Sequence, residues 1–354
     1  MQKLLFATTA LVATAGMAAA DVTFGGYARF GAIYTEDGTR AEVTTDAGLP
    51  DTVTETESET QIESRFRLII TATAESDAGL GFGAQVRYQS DEHRHNYTVG
   101  NVNYIDPDPA DASINDGAAG FNTVRYYVTY EGLEVSVGNT QGALEFMPGM
   151  YAGSVGLTGL GYGNLVYKGA DAYSSGGQGR QGFDVKYSMG PLAAHLSYSS
   201  EDFAGNGFNS GDRTAAFLSY ELNDFTVTGA FQSTSGIEDE GVTKFALTAN
   251  TMVGPADVTA KLASNDYSDS AGGDENEMEY GLAADFEVGA ATTVTAYLNH
   301  DQAFDGFDGG NSYGVGFVHE LGGGASVRGG VAGLGQDDSD ETQTRADLGV
   351  RFNF

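Results

Sequence analysis

Arg29, Arg65, Arg67, Arg87 and Arg125 are the side chains of this sequence best placed to act together, because each lies in an alternating stretch and each falls on its polar parity. Between Ile62 and Ala74, Phe66, Leu68, Ile70 and Ala72 share one face, while Glu63, Arg65, Arg67, Thr71 and Thr73 share the other. Leu80 to Ser90 sets Leu80, Phe82, Ala84, Val86 and Tyr88 against Gly81, Gly83, Gln85, Arg87 and Gln89. Like charges side by side on neighbouring strands repel, so as scaffold alone such a wall costs stability, and water and opposing acids must lie near it. Its chemistry is electrostatic rather than covalent. A basic wall facing water orients that water and sorts the ions and polar solutes that pass.

The elements that would carry this wall are strands. The last ten residues, Arg345 to Phe354, alternate throughout, with Ala346, Leu348, Val350, Phe352 and Phe354 on one face and Arg345, Asp347, Gly349, Arg351 and Asn353 on the other. A strand at the end of a chain leaves an open edge unless it pairs, most simply with the first strand, which makes a closed barrel the expectation. Alternation predicts strands over 22 to 34, 62 to 74, 80 to 90, 121 to 130, 133 to 138, 182 to 189, 191 to 200 and 213 to 222. It continues over 225 to 234, 243 to 253, 256 to 265, 277 to 287, 291 to 301, 312 to 321, 325 to 333 and 344 to 354, sixteen strands in all. Short turns such as Glu131-Gly132, Asn223-Asp224 and Gly254-Pro255 alternate with long acidic loops such as 35 to 61, 91 to 120 and 201 to 212. An even strand count with loop lengths sorted by end is the pattern of an outer-membrane barrel, whose short turns face the periplasm. A barrel this wide keeps a water channel. Outward aromatics form two bands, one at the turn end (Phe24, Phe82, Tyr130, Tyr220, Phe225, Phe286, Phe354) and one at the loop end (Tyr34, Tyr88, Phe183, Tyr198, Tyr280).

Composition narrows the function further. Lys3, the apolar run Leu4 to Val12 and Ala18-Ala19-Ala20 predict a secretory signal peptide over residues 1 to 20, leaving 21 to 354 as a single barrel. With no cysteine there is neither disulfide nor thiol chemistry. A formal charge of -32, one more negative once Lys3 departs with the leader, argues against a nucleic-acid partner. After residue 20 no apolar stretch approaches the roughly 20 residues a spanning helix needs, so a membrane would be crossed by strands.

The residues resemble the trimeric general-diffusion porins of Gram-negative outer membranes, particularly those of purple photosynthetic bacteria and their relatives. The resemblance is carried by Leu321 to Ser326, Ala346 to Val350 and on through Phe354, and also by Ala28-Arg29, Ser64 to Arg67, Gly81 to Ala84 and Gly142-Ala143. It implies a 16-stranded antiparallel transmembrane β-barrel and a homotrimer set among outer-membrane lipid and lipopolysaccharide. It also implies a long third loop, here Asn139 to Gln181, folded into the lumen as a constriction. The implied function is passive diffusion of small hydrophilic solutes and ions. Carried over, the five arginines form the basic wall of the constriction, Glu145 and Asp171 are the loop acids that face it, and Phe354 is the membrane-assembly signal. Lys168 and Arg180 make this loop less acidic than the family pattern, while the first loop is rich in acids. Weak ion selectivity with a slight cation preference is the expectation. A solute-specific channel is the alternative.

Enzymatic and metal readings fare less well. His195-Leu196-Ser197 has the spacing of outer-membrane phospholipases, but parity turns both side chains to the lumen, away from lipid. His93 and His95 lack a closing ligand pattern. The acid clusters Asp337 to Glu341 and Asp266 to Glu279 offer oxygen ligands for a structural Ca²⁺, yet neither completes a calcium-loop motif and both read as a solvated rim. No resident cofactor and no catalytic residue are expected.

Overall fold

The computed structural model describes residues 20–36, 39–44, 52–57, 59–91, 95–99, 102–106, 120–139, 141–160, 181–200, 212–237, 240–268, 274–301, 310–335 and 342–354. Residues 1 to 19 of the predicted leader lie outside them. Sixteen strands form the wall: β1 (Asp21–Thr35), β2 (Thr60–Glu75), β3 (Gly81–Asp91), β4 in two pieces (Gly120–Phe121 and Arg125–Tyr130), β5 (Leu133–Asn139), β6 (Gln181–Met189), β7 (Leu192–Ser199) and β8 (Asp212–Leu222). They continue as β9 (Phe225–Ile237), β10 (Glu240–Val253), β11 (Ala256–Ser268), β12 (Asp274–Glu287), β13 (Thr292–Asp301), β14 (Gly310–Gly322), β15 (Ala325–Gly335) and β16 (Thr342–Asn353). Each pairs antiparallel with the next, and β16 closes on β1 from Tyr27↔Asn353 to Thr35↔Arg345. Beyond the last strand residue, Gly26 N–H donates to Phe354 O at 3.0 Å and Phe354 N–H to Gly26 O at 3.1 Å. Among the described residues the barrel wall therefore closes on itself without a free first or last strand.

The registers also fix the size of the ring. Following cross-strand partners once round the wall returns to β1 displaced by about 20 residues. For strands about 4.8 Å apart rising about 3.3 Å per residue, that stagger means a tilt of about 40° and a backbone diameter of about 32 Å. A cylinder of this bore cannot be filled by side chains from its own wall.

Large apolar residues point out: Phe24 is 65% exposed and Leu298 63%. In a bilayer that exposure is burial in hydrocarbon, and the closed ring of strands pairs its backbone groups within the wall rather than leaving them to lipid. The Glu131-Gly132 turn takes positive φ at both residues, 45° and 85°, which matches the twist of the strands it joins.

Three features depart from the sequence expectation. The stretches 35 to 61 and 91 to 120, read as loops, contain hairpins of their own, Thr39–Thr44 with Thr52–Glu57 and His95–Val99 with Val102–Asp106. Several wall strands also run past their expected ends, β10 to Glu240 and β11 to Ser268. Above the bilayer both faces of a strand meet water, so the alternation that reveals a spanning strand disappears there while pairing continues. Strand β4 is also broken: Asn122 bonds Arg87 through side chain and backbone, and the register against β3 slips one residue between Tyr88↔Phe121 and Gln85↔Arg125.

Candidate functional site

The interior is organised by residues 141–160, which leave β5 and lie along the inner wall. Ala143 N–H donates to Ser197 Oγ of β7 at 2.8 Å, the Thr248 hydroxyl of β10 donates to Pro148 O at 2.7 Å, and the Lys261 ammonium of β11 donates to Met150 O at 3.2 Å and Ala152 O at 2.5 Å. Farther along, Asp347 of β16 accepts Leu157 N–H at 2.8 Å, Thr158 N–H at 2.7 Å and the Thr158 hydroxyl at 2.7 Å. Arg29 Nη1 donates to Leu157 O at 3.4 Å. The segment thus passes from β7 round to β1.

Small wall residues make room for it. Ala215, Ala230, Ala246 and Ala263 pack with Ala143, Leu144, Met147 and Met150, and Ala283, Tyr297 and Ala332 pack with Val155 and Leu160. Between β14 and β1 the lane is glycine: a Cβ on Gly330 would lie 2.9 Å from Gly156 N, and one on Gly349 would lie 2.6 Å from Leu157 Cδ2. Among the described residues the buried apolar side chains other than Ala256 lie at this contact, so the core sits between loop and wall.

Of the five arginines singled out in the sequence, four fall into two groups and Arg87 stands apart. On β1, β2 and β16, Arg29, Arg65 and Arg67 gather round Tyr27 together with Arg351, and Arg328 follows on β15. Arg29 pairs with Glu63 through a 2.8 Å bond from Nε to Oε1. Arg125 belongs to the second group, where its Nη2 reaches Glu134 Oε1 and Ser136 Oγ, both at 2.5 Å, and lies 3.6 Å from Asp184. Lys186 and His195 stand 3.2 Å from Glu134 and 3.4 Å from Asp184, and Gln141 N–H donates to Asp184 Oδ2 at 3.4 Å. This second group ties the start of the loop to β6 and β7. Arg87 lies opposite Ile69, beside the break in β4.

Glu145 is buried in the loop, whereas Asp171, Lys168 and Arg180 lie outside the described residues. Asp337 to Glu341 is outside them also, and among the described residues no three His, Cys, Asp or Glu converge as metal ligands. His195 and Ser197 face inward and are buried beneath the loop; Ser197 Oγ is engaged by Ala143 N–H. Sequence reasoning missed Asp347, Lys261, Arg328 and Arg351. Their parity was visible, but nothing in the sequence shows which strands meet at the closure or which carbonyls the loop presents.

Comparison with known proteins agrees with this geometry. A family model described as "Gram-negative porin" matches residues 7–341. The chain belongs to the Gram-negative porin family. The curated porin of Rhodobacter capsulatus is 43% identical over 75 residues, an alignment that spans 21% of this chain and 23% of that protein. A solved mutant of the Rh. blastica porin is 25% identical with a TM-score of 0.67, covering 94% of this chain and 100% of that one. A triple mutant of the Rhodopseudomonas blastica porin has the same TM-score at 24% identity over the same shares. Membership of this family places the porin in the outer membrane of a Gram-negative bacterium, as a barrel and not an enzyme.

Proposed function

We propose that this porin is a passive channel for small hydrophilic solutes and ions, working as a homotrimer in outer-membrane lipid and lipopolysaccharide after loss of a signal peptide, residues 1 to 20. The observation that carries the reading is the fit of the loop to the wall. The segment 141–160 is held along one side of a cylinder too wide to fill, so it narrows the passage without plugging it. Asn139 to Gln181 is the constriction loop in this reading. Its acids, Glu145 and Asp171, face a basic wall of Arg29, Arg65, Arg67, Arg87 and Arg125, and the field between them favours ions and polar solutes over apolar ones of equal size. No resident cofactor takes part.

The test is planar-bilayer conductance of the purified protein, with liposome swelling in a size series of neutral sugars. Stepwise conductance and a sharp sugar cut-off are expected; silent bilayers and liposomes that exclude every sugar would reject the channel. In a salt gradient the reversal potential should show weak selectivity tending to cations, since the acidic mouth opposes the basic wall.

A further inference from the structure

Strand closure brings three arginines into a single row. Arg65, Arg29 and Arg351 are direct cross-strand partners on β2, β1 and β16. The next row toward the turns holds Arg67, Tyr27 and Asn353, and Arg328 stands on β15 across from Gly349. Tyr27 is the centre of the group. The Arg67 and Arg351 guanidinium carbons lie 5.2 and 4.0 Å from its ring centroid, from the strands on either side, and Arg65 Nη1 approaches its hydroxyl at 3.5 Å.

Among the described residues two of these charges, Arg328 and Arg351, stand without an ion pair, while Asp91 of β3 is the cross-strand partner of Arg65 and Glu320 of β14 acts on Arg328 from beyond ion-pair distance. Glu63 is engaged by Arg29. Arg351 Nε donates to Asn353 Oδ1 at 3.2 Å and Arg328 Nε to Ser326 Oγ at 3.0 Å, both neutral. Among the described residues neither of these two guanidiniums has a carboxylate within ion-pair distance. Adjacent like charges are unfavourable in a sheet, and a local rule broken without a structural gain marks a functional place. Here a bound anion would supply the missing charge.

The geometry also selects the kind of anion. Guanidinium forks match oxyanions through paired N–H···O bonds, and several forks round one point reward an anion with several oxygens and more than one charge. Cation–π contact with Tyr27 holds two of the forks in place beforehand, which reduces the ordering cost of binding. The position suits a solute in transit: Leu157 lies over Gly31 and Gly349, and its carbonyl receives Arg29, so the group sits just on the turn side of the loop.

We infer that Arg29, Arg65, Arg67, Arg328 and Arg351 round Tyr27 form a binding site for polyvalent oxyanions, such as phosphates and phosphate esters, at the periplasmic side of the loop. The inference rests on the channel reading and adds to it a solute class and a subsite. A diffusing phosphate would pause there and be released to the periplasm.

The experiment is single-channel recording of the full-length protein in KCl with inorganic pyrophosphate added on either side, on wild type, R328Q/R351Q and R345Q. Correct assembly of each variant is checked by heat-modifiable gel mobility. Millimolar pyrophosphate should interrupt the wild-type current, and R328Q/R351Q should raise the half-blocking concentration at least about tenfold, because two charge-assisted contacts are lost. R345Q, on β16 but outside the group, should respond like wild type. Conducting wild-type channels that ignore pyrophosphate up to about 20 mM, a range that would still detect weak binding, would overturn the site and leave the channel intact. A double variant blocked as readily as wild type would do the same. If wild type conducts nothing, the channel reading fails, and calorimetric titration of pyrophosphate into detergent-solubilised protein then decides the site alone: heat lost in R328Q/R351Q supports it, and no heat in wild type overturns it.

Discussion

Asp347 shows how much one side chain can hold. It is 6% exposed and accepts three hydrogen bonds from the adjoining residues Leu157 and Thr158. Removing it strands three donors, each worth about 1–3 kcal/mol when left unsatisfied. D347A should therefore free this part of the loop while the wall survives, seen as increased open-channel current noise with unchanged strand content by circular dichroism. D347N, which keeps one acceptor oxygen, should fall between. Equal noise in all three proteins would mean that the loop is held elsewhere. Glu36, at the loop end of β1 and beyond the spanning part, gives a prediction in pH. Hydrogen bonds from Thr344, through its side chain and its backbone N–H, hold this carboxyl below the usual range, and Thr344 N–H reaches Glu36 Oε2 at 2.8 Å. A depressed folded pKa means that the contact contributes at neutral pH and is lost as the pH falls through that value. Acidification should thus lower the amide protection of Thr344 relative to an E36Q reference, in which the step is absent.

At the scale of the element, the lane of small residues decides where the loop can lie. Glycine is required at Gly330 because a Cβ would lie 2.9 Å from the Gly156 backbone nitrogen, and backbone cannot swing aside as a side chain does. G330L should displace the segment 155–158 toward the lumen and change single-channel conductance, leaving heat-modifiable mobility as in wild type. An unaltered conductance would show that the passage is bounded elsewhere. The strands themselves were legible in sequence wherever one face meets lipid and the other water, as in β2 and β3. Alternation weakened only where both faces are wet, so the hairpin Thr39–Thr44 with Thr52–Glu57 was invisible although its threonines and valines favour strands.

For the whole molecule, closure is the governing event. Phe354 lies against Phe66, with centroids 5.7 Å apart, and its backbone completes the ladder to Gly26. Deleting Phe354 removes both contacts at the seam, and the yield of assembled barrel in the outer-membrane fraction should drop several-fold relative to total expressed protein. An unchanged yield would separate the terminal residue from assembly.

What the sequence determined by itself is periodic: a residue's parity follows from backbone pleating alone, so the number of strands, their lipid and water faces and the sorting of turns from loops are local properties. The tertiary structure decided what depends on stagger. Which residues of β16 meet which residues of β1, and therefore that Arg351 stands beside Arg29, follows from a displacement summed round the whole ring. Residues distant in sequence, Leu157 and Asp347 among them, acquire their contact only after the ring has closed and the loop has found its lane.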